Sequence, residues 1–167
     1  MNGNPDAAPS RAAWSVAPVV DWLLREGRLS AEPRELIDTL AAHLLGAGAP
    51  LWRLRLGFFT IHPQVAAWAY VWMRGRSTHV EQFPHGVQKT GAYIGSPAQR
   101  MIEGGAPVRY RLDHLSPSDH RLLHELAAEG GTDYALFPLR FSDGSRNVFA
   151  LATDARSGFS AHDLAQF

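Results

Sequence analysis

Apolar residues recur at helical spacing twice near the start of the chain. Val16, Val19, Val20, Leu23 and Leu24 form one run; Leu36, Ile37, Leu40, Ala41, Leu44 and Leu45 form the next. Residues three and four apart share one face of a helix, so each run predicts a helix with a single buried stripe. Gly27 stops the first, Ser30 or a neighbour opens the second, Pro33 suits its first turn, and Gly46 and Gly48 end it. At Leu51 the period drops to two. Trp52, Leu54, Leu56, Phe58 and Thr60 alternate with Arg53, Arg55 and Gly57, which predicts a half-exposed strand. His62-Pro63 interrupts it, and Val65 to Met73 follows as a second strand, antiparallel to the first, with Trp68, Tyr70 and Trp72 on one face.

Gly75 to Gly91 lacks a period and reads as a loop, with room for a short strand at Val80 to Phe83. Ser96-Pro97 caps a short helix through Ile102, stopped by Gly104-Gly105. Val108, Tyr110 and Leu112 alternate as a strand. Ser116-Pro117-Ser118-Asp119 has the form of a helix start, with an acid three residues after a capping serine, and leads through Leu122, Leu123 and Leu126 to Gly130-Gly131. Ala135 to Phe141 and Asn147 to Thr153 are strands joined at Ser142-Asp143-Gly144-Ser145. Ser160 with Asp163 caps a last helix that reaches Phe167. A helix of one or two turns is barely stable alone, so it is expected to continue into a further domain of a longer polypeptide. Residues 1–13, rich in Asn, Pro and Ala, are expected to be a flexible tail, and 14–167 a single domain.

Charge and composition narrow the function. Sixteen basic and sixteen acidic residues cancel, leaving none of the basic excess with which proteins grip nucleic acid. The absence of cysteine excludes disulfides, thiolate metal sites and cysteine nucleophiles. The first residues lack a signal-peptide pattern, and no apolar run reaches the length that spans a bilayer, so a cytoplasmic protein with no membrane partner is expected. No Gly-x-Ser-x-Gly elbow, P-loop or dinucleotide fingerprint occurs, and no catalytic residue is assigned.

The C-terminal third resembles GAF domains, relatives of PAS sensors, in Phe137-Pro138-Leu139-Arg140 with Asp143-Gly144, and in Gly158-Phe159-Ser160 with Asp163-Leu164. Nearly the whole chain is similar to the regions that precede class III adenylate or guanylate cyclase domains. The motifs Leu51-Trp52-Arg53, His62-Pro63, Tyr70-Val71-Trp72, Ser96-Pro97, Arg109-Tyr110-Arg111-Leu112 and Gly131-Thr132-Asp133-Tyr134 occur in that order. The resemblance implies an α+β GAF-like fold: a central antiparallel sheet with helices on its faces and helical termini. It also implies a regulatory role toward a C-terminal cyclase domain that this chain lacks, and leaves the ligand or cofactor unnamed.

Candidate ligand contacts follow from the pattern. Trp52, Trp68, Tyr70 and Trp72 cluster on two adjacent strands, as core packing or as the wall of a pocket over the sheet. Arg109 and Arg111 share a strand face, with Arg140 nearby; they either pair with Asp113, Glu125 or Glu129 or clamp an anion. Asp133 and Tyr134, after two glycines, form either a tight turn or a ligand-edge loop. His62 is a structural hydrogen-bonder, a haem ligand or an acid–base group, and is the best residue available to an enzyme of unrecognised type. His114, His120 and His124 flank the leucine stripe without carboxylates to complete a site, so no metal is assigned. Val16, Val20, Leu23 and Leu24 are the expected homodimer contacts of the first helix. A ligand-free module that only dimerises and positions the cyclase is the alternative.

Overall fold

The computed structural model describes residues 13–60, 63–142 and 144–167. Of the expected tail only residue 13 falls within them, and His62 and Asp143 lie outside them.

The N-terminal helices are α1 (Ala17–Arg25) and α2 (Pro33–Gly46), and the strands β1 (Arg53–Phe59), β2 (Val65–Met73) and β3 (Arg76–Pro84) follow as a meander. Then come α3 (Pro97–Gly104), β4 (Val108–Arg111), α4 (Arg121–Ala128), β5 (Asp133–Arg140), β6 (Arg146–Thr153) and α5 (Ala161–Gln166). The six strands form one sheet in the order β3-β2-β1-β6-β5-β4, with every neighbouring pair antiparallel. The first and last strands pair at its centre, with Leu54 opposite Leu151 and Leu56 opposite Phe149.

Alternation divides the side chains between two cores. Leu54, Trp72, Ala135 and Leu151 meet Val19 of α1, Ile37, Ala41 and Leu44 of α2, and Phe159, with Leu164 and Phe167 packed alongside. On the opposite face Met73, Tyr134, Leu136, Val148, Ala150 and Ala152 meet Met101 of α3 and Leu123 and Leu126 of α4. The sheet is therefore covered on both faces, and β1 is not the half-exposed strand that its arginines predict: Arg53 and Arg55 are only partly exposed.

Two further expectations change. The stretch read as a loop contains β3, a full edge strand whose ladder runs from Val65↔Pro84 to Met73↔Arg76. It lacks a period because an edge strand leaves polar residues such as Ser77, His79 and Gln82 at the surface. The Ser116–Asp119 box closes a single turn: Ser116 N donates to Asp119 Oδ2 at 2.7 Å and Asp119 N to Ser116 O at 2.9 Å. His120 is then extended (φ −61°, ψ 139°), so α4 starts at Arg121 with His120 as its cap. The Ser160–Asp163 capping box of α5 forms as expected, with Ser160 Oγ accepting from Asp163 N and Asp163 Oδ2 accepting from Ser160 N. No helix among the described residues is long and apolar enough to cross a membrane.

Candidate functional site

The face of the sheet that turns toward α3 and α4 is lined with small side chains over its β1–β2 half. Gly57, Ala67 and Ala69 stand there, whereas the other face carries Leu54, Leu56, Tyr70 and Trp72. The deficit of bulk leaves a cavity of about 680 Å³ between the sheet, the segment joining β3 to α3, and the starts of α3 and α4. That is the size that holds a drug-sized molecule. Gly57 keeps its floor open; a Cβ there would stand 3.3 Å from Arg55 Nη1.

The polar groups of the cavity are few. Arg55 donates from Nε to Glu81 Oε2 at 3.3 Å and lies over the Phe83 ring, 5.4 Å from its centroid. Arg121 and Glu125 pair at 3.0 Å on the exposed rim. Arg53, on the central strand, has a buried Nη1 with no hydrogen-bond partner. Tyr134 reaches the cavity from β5, 2 % exposed; burial pushes its phenol above the ordinary range, against the opposing charges of Arg55 and Arg53. On the far wall, burial and the charge of Glu103 raise the Tyr93 phenol.

His120 ties the cavity's cover to its wall. Its Nδ1 accepts the amide hydrogen of Leu122, capping α4, so Nε2 carries the proton and donates to the Gly91 carbonyl, 3.0 Å away. Ser96 caps α3 through Gln99 N, and the Gln99 side chain accepts from Gly95 N at 2.6 Å. The cover is thus held to α4 by His120 at Gly91 and to α3 by Gln99 at Gly95.

Of the residues singled out from the sequence, Trp68 and Tyr134 border the cavity. Tyr70 and Trp72 lie on the other face, in the core of α1 and α2, and Trp52 packs with the α3–α4 core, its ring 3.0 Å from where a Cβ on Gly131 would stand. Arg109, Arg111 and Asp133 meet one another's neighbourhood at a corner away from the cavity. Asp133, fully buried, accepts from Arg109 Nη2 at 2.6 Å and from Phe159 N at 2.9 Å. Arg109 also donates to the Phe159 carbonyl, and Arg111 donates to Asp113 and to the Ser157 carbonyl. These bonds fasten the β6–α5 connection to β4 and β5. His62 lies outside the described residues. On α1, Val16 packs against the core and Leu23 is half-buried, while Val20 and Leu24 face outward. Among the described residues no group of three histidine or acidic side chains is placed to hold a metal ion.

The residues missed were Arg53, Arg55, Gly57, Ala67, Glu81, Phe83, Tyr93 and His120. A signal was present for the first three: two arginines and a glycine at alternate positions, opposite a leucine face.

No family model matches the chain, and no curated protein does. Solved structures do. The GAF domain of a two-component sensor histidine kinase from Bacillus halodurans aligns over 81% of this chain and 86% of its own, at 11% identity and a TM-score of 0.54. The phycocyanobilin-bound GAF domain of a cyanobacterial phytochrome aligns over 93% and 88%, at 15% identity and a TM-score of 0.59. A phycoerythrobilin-bound GAF domain, also from a cyanobacterial phytochrome, aligns over 93% and 89%, at 14% identity and 0.60. A six-stranded antiparallel sheet clasped between helices on both faces, matched over most of its length to these domains, gives this chain the GAF fold.

Proposed function

We propose that this chain is a cytoplasmic regulatory module that senses a small molecule in the cavity beneath α3 and α4 and transmits its presence to an attached nucleotide cyclase domain. The cavity carries the reading: about 680 Å³ with an aromatic and apolar lining, a few placed polar groups and a pinned cover. Sites that take small molecules have that composition. The order of short motifs along the chain supports the cyclase as the output. The route of transmission is the close seating of the two ends of the described domain, Trp14 to Val16 and α5, which share hydrogen bonds. A ligand that prefers one arrangement of the cover would shift how these ends are held, and the shift is limited by its differential affinity for the two arrangements.

Outward-facing Val20 and Leu24 on α1 support homodimerisation as part of the same device.

The deciding experiment is native mass spectrometry of the purified chain, with an absorption spectrum, followed by thermal-shift screening of a metabolite library. A retained or stabilising small molecule displaced by filling the cavity (Ala98→Trp) is the expected result. Absence of any such molecule would leave the module without a sensory role. For the output, the chain is joined through α5 to a class III catalytic domain, and the ligand is expected to change the cyclase rate. An unchanged rate at saturation rejects the coupling.

A further inference from the structure

Resting on the cavity as a ligand site, we propose that its ligand is a small organic anion, an aromatic or aliphatic body bearing one carboxylate or phosphate group, held by Arg53 and Tyr134.

Among the described residues the charges around the cavity are three arginines and two glutamates. Glu81 neutralises Arg55 and Glu125 neutralises Arg121. Arg53 is left over, and among the described residues no carboxylate pairs with it. Its Nη1 is buried without a hydrogen-bond partner, a state that costs the full desolvation of that group and that proteins seldom retain without use. A guanidinium presents forked donors that match a carboxylate or phosphate in pairs, which makes an anion the natural complement.

Register supplies the second contact. Arg53 lies opposite Ala152, and Ala152 lies opposite Tyr134, so the three form one cross-strand row over β1, β6 and β5. Side chains in such a row share a face, with strands about 4.8 Å apart. Ala152 puts only a methyl group between the two long side chains, and Arg53 and Tyr134 both line the cavity. The Tyr134 phenol, held in its protonated form by burial, is a donor there. Phe83, Tyr93 and Ile102 line the remaining volume and suit an apolar body.

The test screens the full chain by ligand-observed NMR against aryl and alkyl carboxylates and phosphate monoesters, each with its neutral amide or alcohol counterpart. Anions are expected to bind at least about ten-fold more tightly than their neutral mates, and Arg53→Met to remove that preference. Arg53→Lys keeps a charge without the fork and is expected to restore part of it. The same Arg53→Met change is expected to raise the melting temperature of the ligand-free chain by about 2–4 °C, since it replaces a partly buried guanidinium, whose Nη1 is unpartnered, with an apolar chain. A purely structural arginine would lower it. Carboxylates outperforming phosphates, or the reverse, identifies the source of the anion. Neutral compounds binding as well as anions, with binding abolished by Ala98→Trp, would overturn the anion while leaving the cavity as a site. Failure of every compound would overturn both.

Discussion

Trp14 donates its indole N–H to Asp163 Oδ1 at 2.8 Å, joining positions 149 residues apart in the chain. Asp163 is also half of the capping box of α5, so one buried carboxylate serves the start of that helix and the segment before α1. Around it, Gln166 Oε1 accepts from Val16 N at 2.8 Å, the Trp14 carbonyl pairs with His162, and the Trp14 and Phe167 rings lie 5.1 Å apart. Trp14→Phe keeps most of the packing and removes the donor. The expected cost is about 1.5–3 kcal/mol, the net contribution of a hydrogen bond to a charged group. Urea unfolding checks it: a midpoint equal to that of the unmodified chain would show that the indole bond contributes nothing.

A second corner depends on Asp133. Its carboxylate binds Arg109 and the Phe159 amide, and Gly158 passes so close that a Cβ there would collide with it and with Arg111 Nη1. Gly158 also has φ +70°, in the left-handed region that disfavours other residues. Asp133→Ala strands the Phe159 N–H and unpairs Arg109. Because the Arg109 side chain is 38% exposed, the expected loss is on the order of 3 kcal/mol, the low end for a broken buried pair. Gly158→Ala is expected to destabilise comparably by strain and collision. Thermal melts of both variants check this, and if Asp133→Asn were as damaging as Asp133→Ala, the charge rather than the hydrogen-bonding shape would be what matters.

These two corners show what pattern alone reveals. Period-3.6 stripes located α1 and α2 and period-two alternation located β1, because stripe and alternation are set by burial within the element itself; β2 was legible from its aromatic and β-branched residues, and β5 and β6 from the turn between them. β3 was legible only at Val80 to Phe83 because its other positions are the polar residues of an edge. The capping box at Ser116 misled because it satisfies itself within one turn, and nothing local says that the helix will wait for His120. The aromatic residues of β2 were legible as a buried row, but which face of the sheet holds the cavity depends on where small residues fall. Gly57 and Ala67 mark that face only once both sides are known to be covered. Arg109 and Asp133 stayed open between structural and ligand roles for a similar reason: a forked arginine looks alike whether its anion is a ligand or an aspartate from the next strand.

His120 is expected to control access to the cavity. It caps α4 through Nδ1 and holds the cover through Nε2. His120→Asn retains a side-chain cap but is too short to reach Gly91, whereas His120→Ala loses both, at about 1 kcal/mol for the cap. Both are expected to speed hydrogen exchange in residues 87–95, and only the alanine variant to lower stability. Unchanged exchange in the asparagine variant would mean that the cover is held by its other contacts.

The homodimer reading has a direct check. Val20 and Leu24 are one turn apart on α1 and are 44% and 64% exposed. Changing both to glutamate removes no core contact and is expected to leave the melting temperature nearly unchanged while turning a dimer into a monomer by light scattering. A monomeric unmodified chain, or a variant that stays dimeric, would reject α1 as the interface.

Alkaline titration separates Tyr134 from the other tyrosines. Burial holds its phenol above the ordinary value of 10.0. Below that pH the folded and unfolded chains both keep the proton, and its contribution is constant. Above it the unfolded chain releases the proton while the folded chain retains it, so the unfolded state binds fewer protons and stability falls as pH rises. The slope approaches about 1.4 kcal/mol per pH unit for one such group. Phenylalanine has no proton to lose, and the other tyrosines contribute equally to both proteins. The unfolding free energy of the unmodified chain is therefore expected to drop more steeply than that of Tyr134→Phe as the pH is taken above about 10, whatever the offset between them at neutral pH. Parallel curves would show that the phenol ionises as readily in the folded protein as in water, and the cavity would then lose its proposed neutral donor beside Arg53.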